Sequence, residues 1–477
     1  MRRPHLVAVV ASASIALAPW EYARPQAKEL TLTATPEAVA HFRLGWEASD
    51  LYNQEVALKH FKMAIDADPA FGLARAMYRY NGAAGDVTTP QDLKRAVADA
   101  AKGGTAELLL TMALREALLT GPAAGGTLLR AVSALVPTEP TIAMMAFYAD
   151  PPTGGEIQLA AVKEIAARFP DYAPAYNALA YSAWAAGDHA AALEAAETQV
   201  KLLPRNPNSH DTYAELLQWN GKLPEALAHY QQAFAIDSNF VAALEGMADV
   251  ETLQGGYDKA RGYINQAIAR STEPGLKLFY MRDLTGINAM AGDRKAMESQ
   301  LLAVIKEAKA QGNTRIVANS YSQLAASSAN AGNAKAAHDY LALAYAADTA
   351  KSSTIGYYAA MAHGMLKHWG PAMEAIVAAK AAPDYLPAAA RVAAAEAFLA
   401  TSQGRPAKAI ELIAGADLTD PVVAGRLAEA YVAAGRADEA AKLQQKVIGD
   451  RAIVLADFGG TNARARARAS TNVAKKK

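Results

Sequence analysis

Three short segments of this sequence recur at a fixed distance: GDHAAA at residues 187–192, GKLPEA at 221–226 and GGYDKA at 255–260. Each segment begins with glycine and ends with alanine, so both residue types repeat every 34 positions. A period of this length is typical of solenoids, in which each unit is a pair of helices that buries its apolar face against its neighbours. The period therefore predicts a binding surface rather than a single catalytic pocket.

The same period continues on both sides of these segments. It is marked by Pro69, Pro137, Pro170, Pro204 and Ser238, and further on by the pairs Gly370 with Gly404 and Pro387 with Pro421. The alanine-rich composition favours helix, and the body shows no sustained strand-like alternation. We expect an all-α fold, a right-handed superhelical solenoid of antiparallel helix pairs, with about eleven or twelve pairs.

Within the unit that begins at Ala173, single residues predict where the helices end. Gly187 suits the left-handed conformation that closes a first helix. Asp188 is a favourable N-cap for the second helix, and Pro204 ends the unit because proline does not continue a helix.

This arrangement resembles the tetratricopeptide repeat, which has small and apolar residues at fixed positions of its helix pair. The units that begin at residues 207, 241, 318 and 421, and one within 36–69, carry matching residues: Phe61, Ala64, Ala214, Ala226, Tyr230, Ala233, Ala248, Ala260, Ile264, Ala267, Leu324, Ala325, Ala337, Leu341, Ala344, Leu427 and Ala428. The run APAYNALAY at 173–181 is similar to exported bacterial tetratricopeptide proteins of unknown function.

We expect six parts along the chain. They are a signal peptide at 1–27, a tetratricopeptide-like repeat at 36–69, divergent helical repeats at 70–170, three regular repeats at 171–272, further repeats at 273–450 and a basic, disordered tail at 451–477. In the divergent part we expect helices near 91–102, 104–120, 123–135 and 154–168.

The first residues resemble an export signal. Arg2 and Arg3 precede an apolar run from Leu6 to Ala18, which ends in the small-x-small pattern Ala16-Leu17-Ala18. The run is short for a membrane span, so we expect a periplasmic or secreted protein without an integral span; the alternative is an N-terminal membrane anchor. The absence of cysteine excludes a lipoprotein anchor, disulfides and thiolate chemistry.

The charge of the chain is balanced, with 47 basic and 47 acidic residues. The two ends are rich in arginine and lysine, which leaves a mildly acidic body. Nucleic-acid binding needs a basic stripe, so we expect no nucleic-acid partner.

The resemblance to tetratricopeptide repeats implies that positions 2, 5, 9 and 12 of each first helix face a concave groove. In the three regular repeats these are Asn177, Tyr181, Trp184, Asn208, Asp211, Glu215, Gln218, Glu245, Asp249 and Thr252. Amides hydrogen-bond a peptide backbone and carboxylates select cationic side chains. We therefore expect a protein or peptide ligand that is cationic or displays its backbone; the alternative is an ordinary solvated helix face.

Three functions stay open at this point. The first is a non-catalytic interaction scaffold of the bacterial envelope, and the second is an accessory subunit of an envelope-assembly or polymer-export complex. The third, an enzyme, is disfavoured because the sequence shows no catalytic cluster. We expect no cofactor and no metal: His363 and His368 are five residues apart and lack the glutamate of the HExxH pattern.

Residues 452–464 resemble the phosphate motif that opens bacterial glucokinases, through Asp457, Gly459, Gly460, Thr461 and Asn462. Glycines in such a motif let backbone N–H groups approach a phosphate. Those kinases need a further large domain, which does not follow here. We therefore expect no kinase activity, and a chance match, a fusion scar and a shifted reading frame all stay open.

Overall fold

The computed structural model describes residues 30–82, 89–149, 151, 154–348, 350, 352–452 and 455–474. The predicted signal peptide falls outside these residues. The chain divides into two compact units, residues 1–170 and 171–477. The described residues include no strand, and none of their helices combines the length and apolar character that a membrane span requires.

The first unit contains eight described helices. They are α1 Pro36–Asp50, α2 Gln54–Ala67, α3 Gly72–Tyr80, α4 Pro90–Ala100, α5 Thr105–Thr120, α6 Pro122–Leu135, α7 Pro140–Ala149 and α8 Gly155–Arg168. Four of them, α4, α5, α6 and α8, confirm the helices expected in the divergent part. Helices α3 and α7 were missed. Helix α7 shows no helical alternation of polar and apolar residues because nearly all of its side chains are apolar and buried.

The second unit contains seventeen described helices. They are α9 Ala173–Ala185, α10 His189–Leu202, α11 Pro207–Trp219, α12 Leu223–Ile236, α13 Ala242–Gln254, α14 Tyr257–Arg270, α15 Pro274–Met290, α16 Arg294–Ala310, α17 Thr314–Asn330, α18 Ala334–Ala347, α19 Ser353–Met365, α20 Trp369–Lys380, α21 Tyr385–Ser402, α22 Pro406–Ile413, α23 Pro421–Ala433, α24 Ala437–Gly449 and α25 Phe458–Ala474. Apart from α25, the helices of the two units form twelve consecutive pairs, as the period predicts.

The residues that match the tetratricopeptide pattern lie between the helices. Ala214, Ala226 and Ala233 are fully buried, and so are Ala248, Ala260 and Ala267. A larger side chain at such contacts would meet a neighbouring helix: a Cβ atom added at Gly246 would lie 2.2 Å from the ring of Tyr230. The small residues therefore set how closely the pairs stack.

Most first helices of the second unit end in a left-handed residue, as predicted for Gly187. The N–H of Gly187 donates to the carbonyl of Trp184 and that of Asp188 to the carbonyl of Ala183, both at 2.9 Å, and the side chain of Asp188 caps α10. This is the Schellman arrangement. One position departs from the predicted phase: Lys367, with φ of 60°, closes α19, whereas Gly370 lies inside α20.

The expectation of a disordered tail was wrong for residues 458–474. Residues 458–474 form α25, which packs against α15, α23 and α24. This helix was not predicted because its arginines suggested a solvated segment. In the structure Ala463, Ala467 and Arg464 are buried. The glucokinase-like residues Gly459 to Asn462 begin this helix, and Leu455 and Ala456 form a turn rather than a strand.

Candidate binding face

The face of interest is formed by the first helices of the pairs in the second unit, from α9 to α23, and is called the inner face below. Helix α25 touches both α15 and α23, which are four pairs apart. A 17-residue helix is only about 25 Å long. The inner face therefore curves around α25.

The 34-residue period aligns equivalent side chains across neighbouring repeats of this face. One row consists of Tyr181, Glu215, Asp249 and Asp283, and a second row of Trp184, Gln218, Thr252 and Gly286. Asp211 and Glu245 stand beside the first row. The five carboxyl groups at 211, 215, 245, 249 and 283 are called the acidic ladder.

Burial raises the pKa of every carboxyl in the acidic ladder. The pKa of Asp211 rises to about 8, first through burial and then through the nearby carboxylates Glu215 and Glu245. Burial and Glu215 raise the pKa of Glu245 to about 7, and the pKa values of Glu215, Asp249 and Asp283 are raised mainly by burial. Within the described residues no lysine or arginine forms an ion pair with any of the five.

The aromatic residues of α9 contact the next repeat. The hydroxyl of Tyr181 donates to the Glu215 carboxylate at 2.6 Å. Trp184 stacks on His189, with ring centres 3.9 Å apart, and lies beside Trp219. Tyr181 and Trp184 are both partly buried.

Three of the residues predicted to face a partner have little exposed surface: Asn177 and Thr252 are buried among the helices, and Gln218 lies beneath the chain's own residue Arg451. Asn177 donates to the hydroxyl of Thr212 at 2.8 Å, and the hydroxyl of Thr252 donates to the carbonyl of Ala248. Gln218 is 2% exposed. Asn208 is partly buried, and its side-chain nitrogen has no hydrogen-bond partner among the described residues. Partner contact by any of the ten residues stays a prediction.

The inner face contacts the chain's own C-terminal segment, of which residues 451–452 and 455–474 are described, through the backbone of that segment. The amide nitrogen of Gln218 donates to the carbonyl of Arg451 at 3.0 Å, and Arg282 donates to the carbonyl of Ala456 at 3.0 Å. The carbonyl oxygen of Leu455 lies close to the backbone of Gly286. A Cβ atom added at Gly286 would lie 2.2 Å from that oxygen. The segment thus crosses the second row of the inner face.

Charged groups hold the C-terminal segment at two more points. Arg391 on α21 pairs with Asp457 through its two terminal guanidinium nitrogens, at 3.2 and 2.7 Å. Arg468 donates to the carbonyls of Thr252 and Leu253 at the end of α13. A cation at a helix C-terminus is favoured by the unpaired carbonyls and the helix dipole.

The other arginines of α25 are also paired. Arg464 is buried and donates to Asp450 at 2.9 Å, and Arg466 pairs with Glu429 on α23 at 3.2 Å. Arg426 and Arg466 lower the pKa of Glu429 against the opposing effect of burial. Arg466 and Arg468 therefore bind defined groups of the inner face, and Arg464 binds the end of α24.

A cavity of about 500 Å³ lies between α25 and the inner face. Its walls include Tyr357, Tyr358 and Phe398, with Arg426 and Glu429 at one side and Gly459 of α25 at another. The cavity shows that α25 does not fill the inner face along its whole length.

Two parts of this face were missed from the sequence. Asp283 continues the row of Glu215 and Asp249 at the same spacing, so the period itself could have revealed it. The contacts of Arg391 and Arg468 join residues 66 and about 215 positions apart, and no sequence pattern carried that information.

Similarity to known proteins is found among solved structures. No family model matches the chain, and no curated protein matches it. Among solved structures, human IFIT1 is 15% identical, with 86% of this chain and 89% of that chain covered and a TM-score of 0.40. A tetratricopeptide protein of Thermus thermophilus, TTC0263, is 19% identical, with 37% and 97% covered and a TM-score of 0.33. One from Parabacteroides merdae is 14% identical, with 62% and 98% covered and a TM-score of 0.34.

The sequence identities and TM-scores are low. The repeat type is therefore judged from the chain's own helix pairs, their Schellman ends and the small residues buried between the helices. On those features the chain is an array of helix pairs whose ends and buried small residues resemble those of tetratricopeptide repeats.

The acidic ladder predicts a specific dependence of stability on pH. Because the pKa of Asp211 is raised in the folded state, the unfolded chain loses its proton first as the pH rises from about 4. The contribution of Asp211 to the free energy of unfolding should therefore fall between pH 4 and 8. Asp211→Asn should not show this loss. Between pH 5 and pH 8 its free energy of unfolding should therefore rise relative to that of the natural chain by at least about 1.4 kcal/mol, the equivalent of one pKa unit.

Urea unfolding of the second unit, followed by tryptophan fluorescence, measures this difference. Asp339→Asn is the matched control, since Asp339 is exposed and pairs with Lys335 on the surface. A difference for Asp211→Asn that does not change with pH would contradict the raised pKa.

Proposed function

We propose that the chain is a non-catalytic protein-interaction scaffold whose inner face binds an extended polypeptide segment of a partner. The observation that carries the proposal is the docking of residues 451–474 on that face. Gln218 and Arg282 recognise main-chain carbonyls of that segment rather than side chains. Recognition of this kind is compatible with segments of differing sequence.

The acidic ladder supports a cationic ligand. Its carboxyls have no ion-pair partner among the described residues and have raised pKa values, so a lysine or arginine brought beside them would favour their ionised form. Binding would then release protons, and affinity would increase as the pH rises through about 7 to 8.

The C-terminal segment would compete with such a partner. A tethered segment acts at a high effective concentration. A ligand that needs the free face therefore binds with an apparent affinity equal to its intrinsic affinity multiplied by the fraction of chains in which the face is free. Weakening the segment's own contacts should therefore strengthen binding of a ligand from solution.

A labelled peptide with the sequence of residues 451–474 tests the proposal on the full chain. Asp457→Ala with Arg468→Ala removes segment contacts to Arg391 and to the end of α13. This double variant should bind the peptide at least about tenfold more tightly than the natural chain, a change of about 1.4 kcal/mol. Lys335→Ala with Asp339→Ala, which removes an exposed ion pair elsewhere, should leave the affinity unchanged.

A further substitution locates the binding. Gly286→Ala, added to the double variant, should abolish peptide binding because the new methyl group would meet the carbonyl of Leu455. Gly262→Ala adds the same methyl group on α14, where no atom lies within 4 Å, and should have no effect. Equal peptide affinities of the natural chain and the double variant, or equal effects of the two glycine changes, would refute inner-face binding.

We further propose that the scaffold works in the bacterial envelope, in the periplasm or outside the cell. The support is the pattern of Arg2, Arg3 and the apolar run from Leu6 to Ala18. Residues 1–35 fused to an enzyme that is active only after export should give activity outside the cytoplasm. Retention of that fusion in the cytoplasm would contradict the location.

A further inference from the structure

Three histidines meet at the junction of α18, α19 and α20. His338 lies on α18 and is exposed, His363 lies on α19 and is partly buried, and His368 is the N-cap residue of α20. One ring nitrogen of each lies within 4.8 Å of those of the other two. The arrangement joins two consecutive helix pairs.

The repeat geometry explains why His363 and His368 are close. Lys367 adopts the left-handed conformation that ends α19, so the N–H of His368 donates to the carbonyl of His363 at 2.8 Å. The same hydrogen bond ends the first helix of other pairs. There it joins other residue types, for example Ala183 with Asp188 and Ser328 with Asn333. The histidine pair is thus a local departure from the repeat.

We propose that His338, His363 and His368 bind a divalent transition-metal ion of the zinc class. Neutral imidazoles are common ligands of such ions. Three imidazoles bound tetrahedrally at about 2.0–2.1 Å place their ring centres roughly 5 Å apart. The observed distances between ring centres are 5.4, 5.6 and 6.2 Å, so small side-chain rotations bring the nitrogens to bonding distance.

A second observation points to a ligand at this place. The Nδ1 atom of His363 is buried and has no hydrogen-bond partner among the described residues. A buried polar atom without a partner is costly, and coordination to a metal would satisfy it. With three protein ligands, the ion keeps a fourth position for water or for a group from another molecule.

The other histidine clusters differ from this one. His41 with His60 and His210 with His229 are pairs whose Nδ1 atoms contact each other, at 3.2 and 2.9 Å. Within the described residues, only the cluster of His338, His363 and His368 brings three potential ligand residues together. The pairs therefore serve as controls.

Isothermal titration of the full chain with Zn²⁺, without a polyhistidine tag, tests the proposal. The natural chain should bind one equivalent, and His338→Ala, His363→Ala and His368→Ala should each weaken binding at least about tenfold. His60→Ala should not, because it changes a two-histidine pair. His338 is exposed, so His338→Ala should fold normally and remains informative if His363→Ala does not.

Two further readouts separate coordination from nonspecific binding. Co²⁺ should give the visible absorption of a tetrahedral site in the natural chain but not in His338→Ala. Zn²⁺ should raise the melting temperature of the natural chain and not that of His338→Ala, because only a ligand of the folded state stabilises it. A natural chain that binds no Zn²⁺, or one whose binding survives His338→Ala unchanged, would overturn the proposal.

Discussion

The stacking of helix pairs through small buried residues is the constraint on which the rest of this structure depends. Ala214, Ala226 and Ala233 leave no accessible surface, and their equivalents recur every 34 residues. Close-packed interiors tolerate little change of volume, so each pair must meet the next in nearly the same way. The stacking therefore aligns side chains that are one period apart, and the two rows of the inner face follow from it.

That alignment explains how one surface combines acidic groups with backbone recognition. The acidic ladder concentrates carboxyls in one strip, where burial and mutual repulsion raise their pKa values. The second row supplies a hydrogen-bond donor at Gln218 and an open backbone at Gly286, where main chain approaches main chain. The C-terminal segment contacts the second row at Gln218 and Gly286. In the described part of the chain the acidic ladder has no ion-pair partner.

Local features of this fold were predictable from the sequence, and long-range ones were not. The helix pairs, the left-handed end at Gly187 and the cap at Asp188 follow from short-range stereochemistry, which a single sequence displays. The docking of α25 depends on contacts such as Arg391 with Asp457, and the arginine-rich segment has the composition of a solvated tail. The left-handed conformation of Lys367 was not predicted because glycine is the usual residue at the end of a first helix. The proximity of His363, His368 and His338 depends on this conformation, so it was not predicted either.

The most direct test of this account is a disulfide between α23 and α25. A Cβ atom added at Gly425 would lie 3.4 Å from that of Ala463, near the separation of about 3.5–4.5 Å found in disulfides. The chain has no cysteine of its own, so Gly425→Cys with Ala463→Cys introduces only this pair. The account predicts that mild oxidation closes an intramolecular bond in nearly all molecules, whereas Gly425→Cys with Gly262→Cys stays reduced. Two thiols in the first variant that remain free and react as fast as those of the control would show that the C-terminal helix does not occupy the inner face.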